Sequence, residues 1–313
     1  MNLTAPLIRP SVQAPAAIVM IRPHHFSVNE ETACDNAFQR VANASAHLAQ
    51  QAYQEITVAA QTLEKHGVRV HLFEDEGTKT PDSVFPNNWF STHAGGHIAI
   101  YPMHAENRRK ERRTDIIEML KQQYRVQDVI DYSGLEPDGL FLEGTGAMVL
   151  DHIDRVAYAA ESTRTDPIAL ERFCTHFNYE PMAFASVDER GTAIYHSNVM
   201  MCIATDFAMI CLDSIVNPKR REEVAERLQA SGRDVIALSH AQIANFAGNA
   251  IELQGSSNRL LALSSKALAA LTADQKQILE KTTELVPLDI SSIEMAGGSV
   301  RCTIAGIHLT KRA

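Results

Sequence analysis

The sequence predicts an α/β protein in which five similar units close around a central axis as an α/β propeller. Short apolar strand pairs accompanied by one amphipathic helix recur at intervals of roughly 50–60 residues, the signature of a repeat architecture. Several of the strand pairs read as hairpins, where a doubly wound sheet would need helical crossovers. No GxGxxG follows the first strand, which removes the usual dinucleotide fingerprint.

The elements follow in order. AIVMI (17–21) reads as a buried strand, and the segment 38–67 has helical apolar spacing and ends at a glycine. VRVHLF (68–73) alternates as a strand, giving a β–α–β passage. HIAIYPM (97–103) is a strand and RRTDIIEMLKQQY (112–124) a helix. FLEGTGAMVLD and RVAYAAES (141–162) form a hairpin turned at DHID, and DPIALERFCTHFN (166–178) is a helix capped by Asp166. SNVMMCIATDFAMICLD (197–213) reads as two strands turned at TD, with the helix PKRREEVAERLQASG (218–232) stopped by glycine. AGNAIELQGSSNRLLALSS (247–265) is a further hairpin, ADQKQILEKTTEL (273–285) a helix, and closing strands surround Cys302. No Gly/Ser-rich or Pro-rich linker marks a boundary, so residues 1–313 are read as one domain.

Composition narrows the function. Hydrophobic residues make up 45% and charged residues 21%, ordinary for a globular chain. A formal net charge of −9 argues against nucleic acid as the partner. The basic run NRRKERR (107–113) reads by itself as a solvated helix face. No window has the apolar length of a membrane span, and the first residues lack the order of a signal peptide, so a cytoplasmic protein with no membrane partner is expected. Five cysteines without a CxxC pair suggest reduced thiols, with neither a disulfide framework nor a zinc site. HH at 24–25 lacks metal-ligand spacing, so no metal and no cofactor are expected. A homo-oligomer is compatible with the sequence, which does not fix the assembly.

Four polar segments interrupt apolar strand ends: PDSVFPNNWFSTH (81–93), FLEGTG (141–146), IYHSNVMM (194–201) and GGSVRC (297–302). Singly, each reads as an ordinary turn, a packing cysteine or a core histidine. Together, Cys302, His196 and Glu143 make a thiol-hydrolase set: a nucleophile, a general acid/base and a carboxylate. Cys34, Cys174, Cys202 and Cys211 lack glycine-rich flanks and read as packing residues.

The set DSVFPNNW, FLEGTG, ESTRT, YHSN, AGNAIEL and GGSVRC resembles the guanidine-modifying superfamily of dimethylarginine dimethylaminohydrolase, arginine deiminase and the amidinotransferases. IRPHHFSVNEETACDNAFQ is similar to its citrulline-hydrolase branch. The resemblance spans nearly the whole chain and implies the pentein fold, a five-bladed ββαβ propeller. It implies that Cys302 is the nucleophile, His196 the general acid/base, and Glu143 the carboxylate that orients the histidine or holds a substrate nitrogen. Asp82 would contact the substrate head group, and Arg108 and Arg164 would grip the α-carboxylate, a pairing suited to guanidinium forks.

Relatives that act on guanidinium groups carry an acid at the place of Asn88, and arginine deiminases another at the place of Asn198. A carboxylate only accepts and suits a cation, whereas an asparagine both donates and accepts, which suits a neutral ureido group. Asn88 and Asn198 therefore point to citrulline as substrate, hydrolysed to ornithine, ammonia and carbon dioxide, with His196 as imidazolium or backbone N–H groups stabilising the thiolate. An arginine deiminase or arginine dihydrolase is the second reading. A catalytically silent binding protein on the same scaffold is the third; it has no need of the Cys, His and carboxylate set, and RNA contact brings a basic surface that this chain lacks.

Overall fold

Residues 11–33, 35–40 and 45–313 are described by the computed structural model of the chain. The first strand, β1 (Ala17–Pro23), is a buried apolar run that pairs in parallel with β2 (Arg69–Asp75) across the helix Ala46–Lys65. Ser45 caps that helix by accepting from the Leu48 N–H, and Leu48, Ala52, Ile56, Ala59 and Leu63 recur at helical spacing to cover the sheet.

Four further blades repeat one plan: an antiparallel pair, a helix, then a third strand parallel to the second. The first of them holds β3 (Phe90–His93), β4 (His97–Ile100), the helix Thr114–Gln123 and β5 (Asp128–Asp131). The next holds β6 (Met148–Asp151), β7 (Val156–Glu161), the helix Pro167–Phe177 and β8 (Glu180–Ala185). Then come β9 (Met201–Ile203), β10 (Phe207–Ile210), the helix Pro218–Ala230 and β11 (Asp234–Ala237). The last run holds β12 (Ile251–Gln254), β13 (Arg259–Ser264), the helices Ser265–Ala270 and Ala273–Leu279, and β14 (Glu284–Leu288).

The ring is closed by the chain's own end. β15 (Ala305–Gly306) pairs antiparallel with β1, Ile18 opposite Gly306 and Val19 opposite Ala305, so the first blade takes its inner strand from the C-terminal region. Five three-stranded sheets result, as the repeat predicts, and each middle strand is covered on both faces, which is why RLLALS is buried throughout.

The differences from the sequence reading are local. The third strands DVID, EPMAFA and DVIA are short, with polar or exposed ends, and give no clear periodicity. The helix expected over 273–285 stops at Leu279, because Glu284–Leu288 pairs with β13. Cys302 lies on a turn before β15, where a strand was expected. Cys174, Cys202 and Cys211 are buried in apolar clusters, and Cys34 lies outside the described residues. Among the described residues, no helix is long and apolar enough to cross a membrane.

Residues of all five inner strands, among them Thr92, Leu150, Met201, Ile251 and Gly306, line one small cavity. His152 and His308 stack there at 3.9 Å, with His93 6.3 Å from His152. Burial holds His93 and His152 well below the usual imidazole range and brings His308 to about 4. These rings stay neutral in the folded chain, while the unfolded chain takes up protons below a pH of about 6.5. Their contribution to stability is therefore present above that value and is lost as the pH falls toward 4. The melting temperature should drop by several degrees between pH 7.5 and pH 5, the scale that a loss of about 2 kcal/mol produces; thermal scans with unchanged midpoints across that range would contradict the assignment.

Candidate active site

Each blade supplies polar side chains from the segment just ahead of its inner strand. Asn88 precedes β3, Glu143 precedes β6, His196 and Asn198 precede β9, Asn249 precedes β12, and Cys302 precedes β15. Tight turns set their directions. Pro86–Asn88 and Ser197–Val199 are single 3-10 turns, and the Cys302 N–H donates to the Ser299 carbonyl at 2.9 Å. The glycines of FLEGTG are required by close approach. Gly144 has φ +49°, and a Cβ there would lie 2.4 Å from the Asn87 carbonyl oxygen. A Cβ on Gly146 would lie 2.3 Å from Asn88 Nδ2 and 2.7 Å from His196 Nδ1, so the motif lets Asn88 and His196 pack against one backbone.

Glu143 is the electrostatic centre of this cluster. Its Oε2 accepts from His196 Nε2 at 2.9 Å and from Arg108 Nη1 at 3.4 Å, with Arg164 Nη1 at 3.7 Å. Its Oε1 accepts from the His104 backbone N–H at 3.0 Å. Burial alone would raise this carboxyl; Arg164, the His196 hydrogen bond and Arg108 outweigh it and hold Glu143 well below the usual carboxylate range. Burial lowers His196 to about 4, against the pull of Glu143 and with the push of Arg164 and Arg108. The expected resting imidazolium is therefore corrected: His196 is neutral near pH 7, with Nε2 donating to Glu143 and Nδ1 left to exchange protons.

Arg108 and Arg164 are both 2% exposed. Arg108 forks onto Glu111, Nε to Oε1 at 3.0 Å and Nη2 to Oε2 at 2.9 Å, and also lies 3.6 Å from Asp82 Oδ2. Burial pushes the Glu111 carboxyl above its usual range while Arg108 pulls it back. Arg164 pairs with Asp35 and packs over the Tyr195 ring at 4.7 Å. Asp82 Oδ2 accepts from Asn29 Nδ2 at 2.7 Å, Asp82 Oδ1 has no partner among the described residues, and burial raises this carboxyl against the pull of Arg108.

The orientation of Asn88 follows from chemistry. Arg108 Nη1 lies 2.9 Å from Asn88 Oδ1, and a guanidinium can only donate, so the amide oxygen faces the arginine and the NH2 faces away. Asn198 Nδ2 donates to Cys302 Sγ at 3.2 Å, and its buried Oδ1 has no partner among the described residues.

Six of the eight residues singled out from the sequence (Asp82, Asn88, Arg108, Arg164, His196 and Cys302) line one small pocket, together with Asn36, Phe85, Tyr195, Ala296 and Gly298. Glu143 stands behind His196, and Asn198 stands against the sulfur and off the pocket wall. Sequence reasoning missed Asn249, whose Nδ2 is also 3.2 Å from Cys302 Sγ, and the arginine partners Glu111 and Asp35. AGNAIEL and NRRKE held two of these residues in view; the Arg108–Glu111 pair is a local i,i+3 contact, whereas nothing local reveals that Asn249 meets Cys302. The run NRRKERR divides accordingly: Arg108 and Glu111 are buried and Lys110 is exposed.

A family model described as N,N dimethylarginine dimethylhydrolase, eukaryotic, matches residues 22–309. No curated protein matches the sequence. Solved structures of similar fold include the N-terminal domain of ArgZ, an arginine dihydrolase from the ornithine-ammonia cycle in cyanobacteria, as a cysteine-to-serine variant bound to substrate. It is 17% identical, covers 93% of this chain and 97% of that one, and has a TM-score of 0.73. Unliganded AgrE is 19% identical with a TM-score of 0.75 over 95% of this chain, which spans only 40% of the AgrE chain. DDAH from Pseudomonas aeruginosa, a cysteine-to-serine variant complexed with citrulline, is 13% identical with a TM-score of 0.62, covering 94% of this chain and 99% of that one. These low identities establish the fold, and the family match over almost the full length establishes the kinship. The chain belongs to the N,N dimethylarginine dimethylhydrolase family, among the guanidine-modifying hydrolases of carbon–nitrogen bonds that share the five-bladed pentein fold.

Proposed function

We propose that the protein is a cysteine-dependent hydrolase that converts citrulline to ornithine, ammonia and carbon dioxide. The observation that carries this reading is the fixed amide of Asn88. Because Arg108 holds its oxygen and one Nδ2 proton goes to Asn87 Oδ1 at 3.1 Å, Asn88 keeps one N–H for the pocket, which matches a ureido carbonyl and opposes the N–H groups of a guanidinium. The unpartnered Asp82 Oδ1 supplies an acceptor for a substrate N–H. DDAH, with the same fold, holds citrulline in its solved complex.

In this reading Arg164 receives the α-carboxylate, exchanging part of its contact with Asp35, and Arg108 orients Asn88. The neutral His196 takes the Cys302 thiol proton at Nδ1 as sulfur attacks the ureido carbon. The resulting imidazolium, held by Glu143, returns that proton to the departing nitrogen of ornithine, leaving a carbamoyl group on sulfur. His196 then takes a proton from water, which attacks the carbonyl and releases the thiolate; the imidazolium reprotonates sulfur, and the carbamic acid breaks down to ammonia and carbon dioxide. One water is consumed, and the protein returns to its starting state.

Arginine is the second reading, favoured by charge: Asp35, Asp82, Glu111 and Glu143 outnumber Arg108 and Arg164 around the pocket, and ArgZ is an arginine dihydrolase. Purified protein given each amino acid separately should form ornithine and ammonia from citrulline and leave arginine unchanged. Citrulline appearing from arginine, with supplied citrulline untouched, would replace the first reading with the second.

Three further outcomes follow from the site. Cys302→Ser should bind citrulline in calorimetry yet show no turnover. Asn88→Asp should lower kcat/KM for citrulline on the order of 10- to 100-fold, the scale of a lost or reversed hydrogen bond in a buried site; unchanged kinetics would remove Asn88 from contact with the ureido oxygen. Because His196 must be neutral to act as base and its folded value is about 4, kcat/KM should hold as the pH falls through 6 and be lost on passing about 4. An acid limb centred near 6.5, in protein still folded by circular dichroism, would contradict that role.

A further inference from the structure

The segment AGNAIEL has no part in the chemistry above, yet it places Asn249 against the reacting sulfur. Asn249 is fully buried, and its amide orientation is fixed by two backbone groups of opposite character. Oδ1 accepts from the Arg301 N–H at 3.0 Å, and Nδ2 donates to the Asn198 carbonyl at 2.9 Å. A carbonyl cannot donate and an N–H cannot accept, so flipping the amide would break both bonds at once. The second proton on Nδ2 then meets Cys302 Sγ at 3.2 Å. Asn198 Nδ2 reaches the same atom at 3.2 Å from the neighbouring blade.

We infer that Asn249 is a catalytic residue that, with Asn198, forms an N–H cradle that stabilises the Cys302 thiolate as it forms on transfer of its proton to His196. The inference rests on Cys302 being the nucleophile of the proposed reaction and extends that reading to the group that makes it reactive. His196 is neutral in the resting site and bound to Glu143, so it cannot supply a standing positive charge to the sulfur. A neutral ureido substrate brings none either. Two amide donors become stronger partners as the sulfur gains charge, because hydrogen bonds to an ionised acceptor are about twice as strong as those to a neutral one. They therefore favour the thiolate over the thiol. The Arg301 N–H bond adds a positional role, since it ties the turn that carries Cys302 to the start of β12.

Close packing supports the assignment. A Cβ on Gly248 would lie 2.6 Å from the Met200 carbonyl carbon and 2.8 Å from the Val199 oxygen, so the Gly248–Asn249 backbone is pressed onto the segment that follows His196 and Asn198. The blades carrying Asn249 and Asn198 are thereby packed against each other, and the Asn249 amide keeps its aim.

The test reads the sulfur without substrate. Asn249→Asp keeps an oxygen for the Arg301 N–H and replaces the donor that faces sulfur. Alkylation of Cys302 by iodoacetamide, followed by peptide mass mapping from pH 5 to pH 10, should show its midpoint moved up by one pH unit or more, with kcat lowered and KM nearly unchanged. In the parent protein labelled with 15N at asparagine, the Asn249 side-chain amide resonances should titrate with that same midpoint and should cease to do so in Cys302→Ser, a readout independent of any Asn249 variant. Superimposable alkylation profiles for folded Asn249→Asp and parent, or amide resonances that ignore the sulfur, would overturn the inference. Failure of citrulline turnover alone would strike the proposed function and leave these measurements standing.

Discussion

A single buried carboxylate organises the catalytic end of this protein. Glu143 is inaccessible to solvent, faces two guanidinium groups that are themselves 2% exposed, and binds the one imidazole of the pocket. Without its charge, Arg108 and Arg164 would hold positive charge in the interior with less to balance it, a penalty of several kcal/mol per ion. His196 would lose the partner that fixes its tautomer and, in the proposed reaction, steadies its imidazolium. Such a network is a poor way to gain stability, since apolar residues of the same volume pack as well. Its presence at the meeting point of five blades is understandable as a preorganised site whose dipoles and charges are set before substrate arrives.

The propeller makes this arrangement economical. Each blade repeats a hairpin and a helical return, so the segments that enter the inner strands reach a common region from different directions. A short turn suffices to aim one side chain, and rigid neighbours hold the aim. The close approach of Gly146 to Asn88 and His196, and of Gly248 to Val199 and Met200, shows how tightly adjacent blades abut at these turns. Cys302 arrives last in the chain, on the turn before β15, and β15 pairs with β1. Assembly of the site and closure of the ring are thus the same event, which ties chemical competence to completion of the fold.

Much of this was legible in the sequence where local physics decides the outcome. The cap at Asp166, glycine stops and apolar hairpins located the blades, and polar interruptions at strand ends located the site. Outer strands such as DVIA escaped notice because four residues with an exposed first and last position carry no periodicity. Asn249 escaped for a different reason: an asparagine after glycine ahead of a strand reads as a turn former, and only the fold brings it to a sulfur 53 residues away. The same holds for Asn198, which reads as a substrate contact beside His196 but turns its amide to Cys302. Arg108 sits in a run that looks solvated, and its burial depends on Glu111, one turn further on, meeting it with both oxygens.

The central claim is that amides fixed by their neighbours select an uncharged ureido end and present its carbon to Cys302. The most direct measurement is a crystal structure of the Cys302→Ser protein grown with equal concentrations of citrulline and arginine. The account predicts citrulline in the pocket, its ureido oxygen within hydrogen-bond distance of Asn88 Nδ2 and its ureido carbon against the substituted hydroxyl. Arginine in that position, or citrulline bound with its ureido group turned away from residue 302, would contradict it.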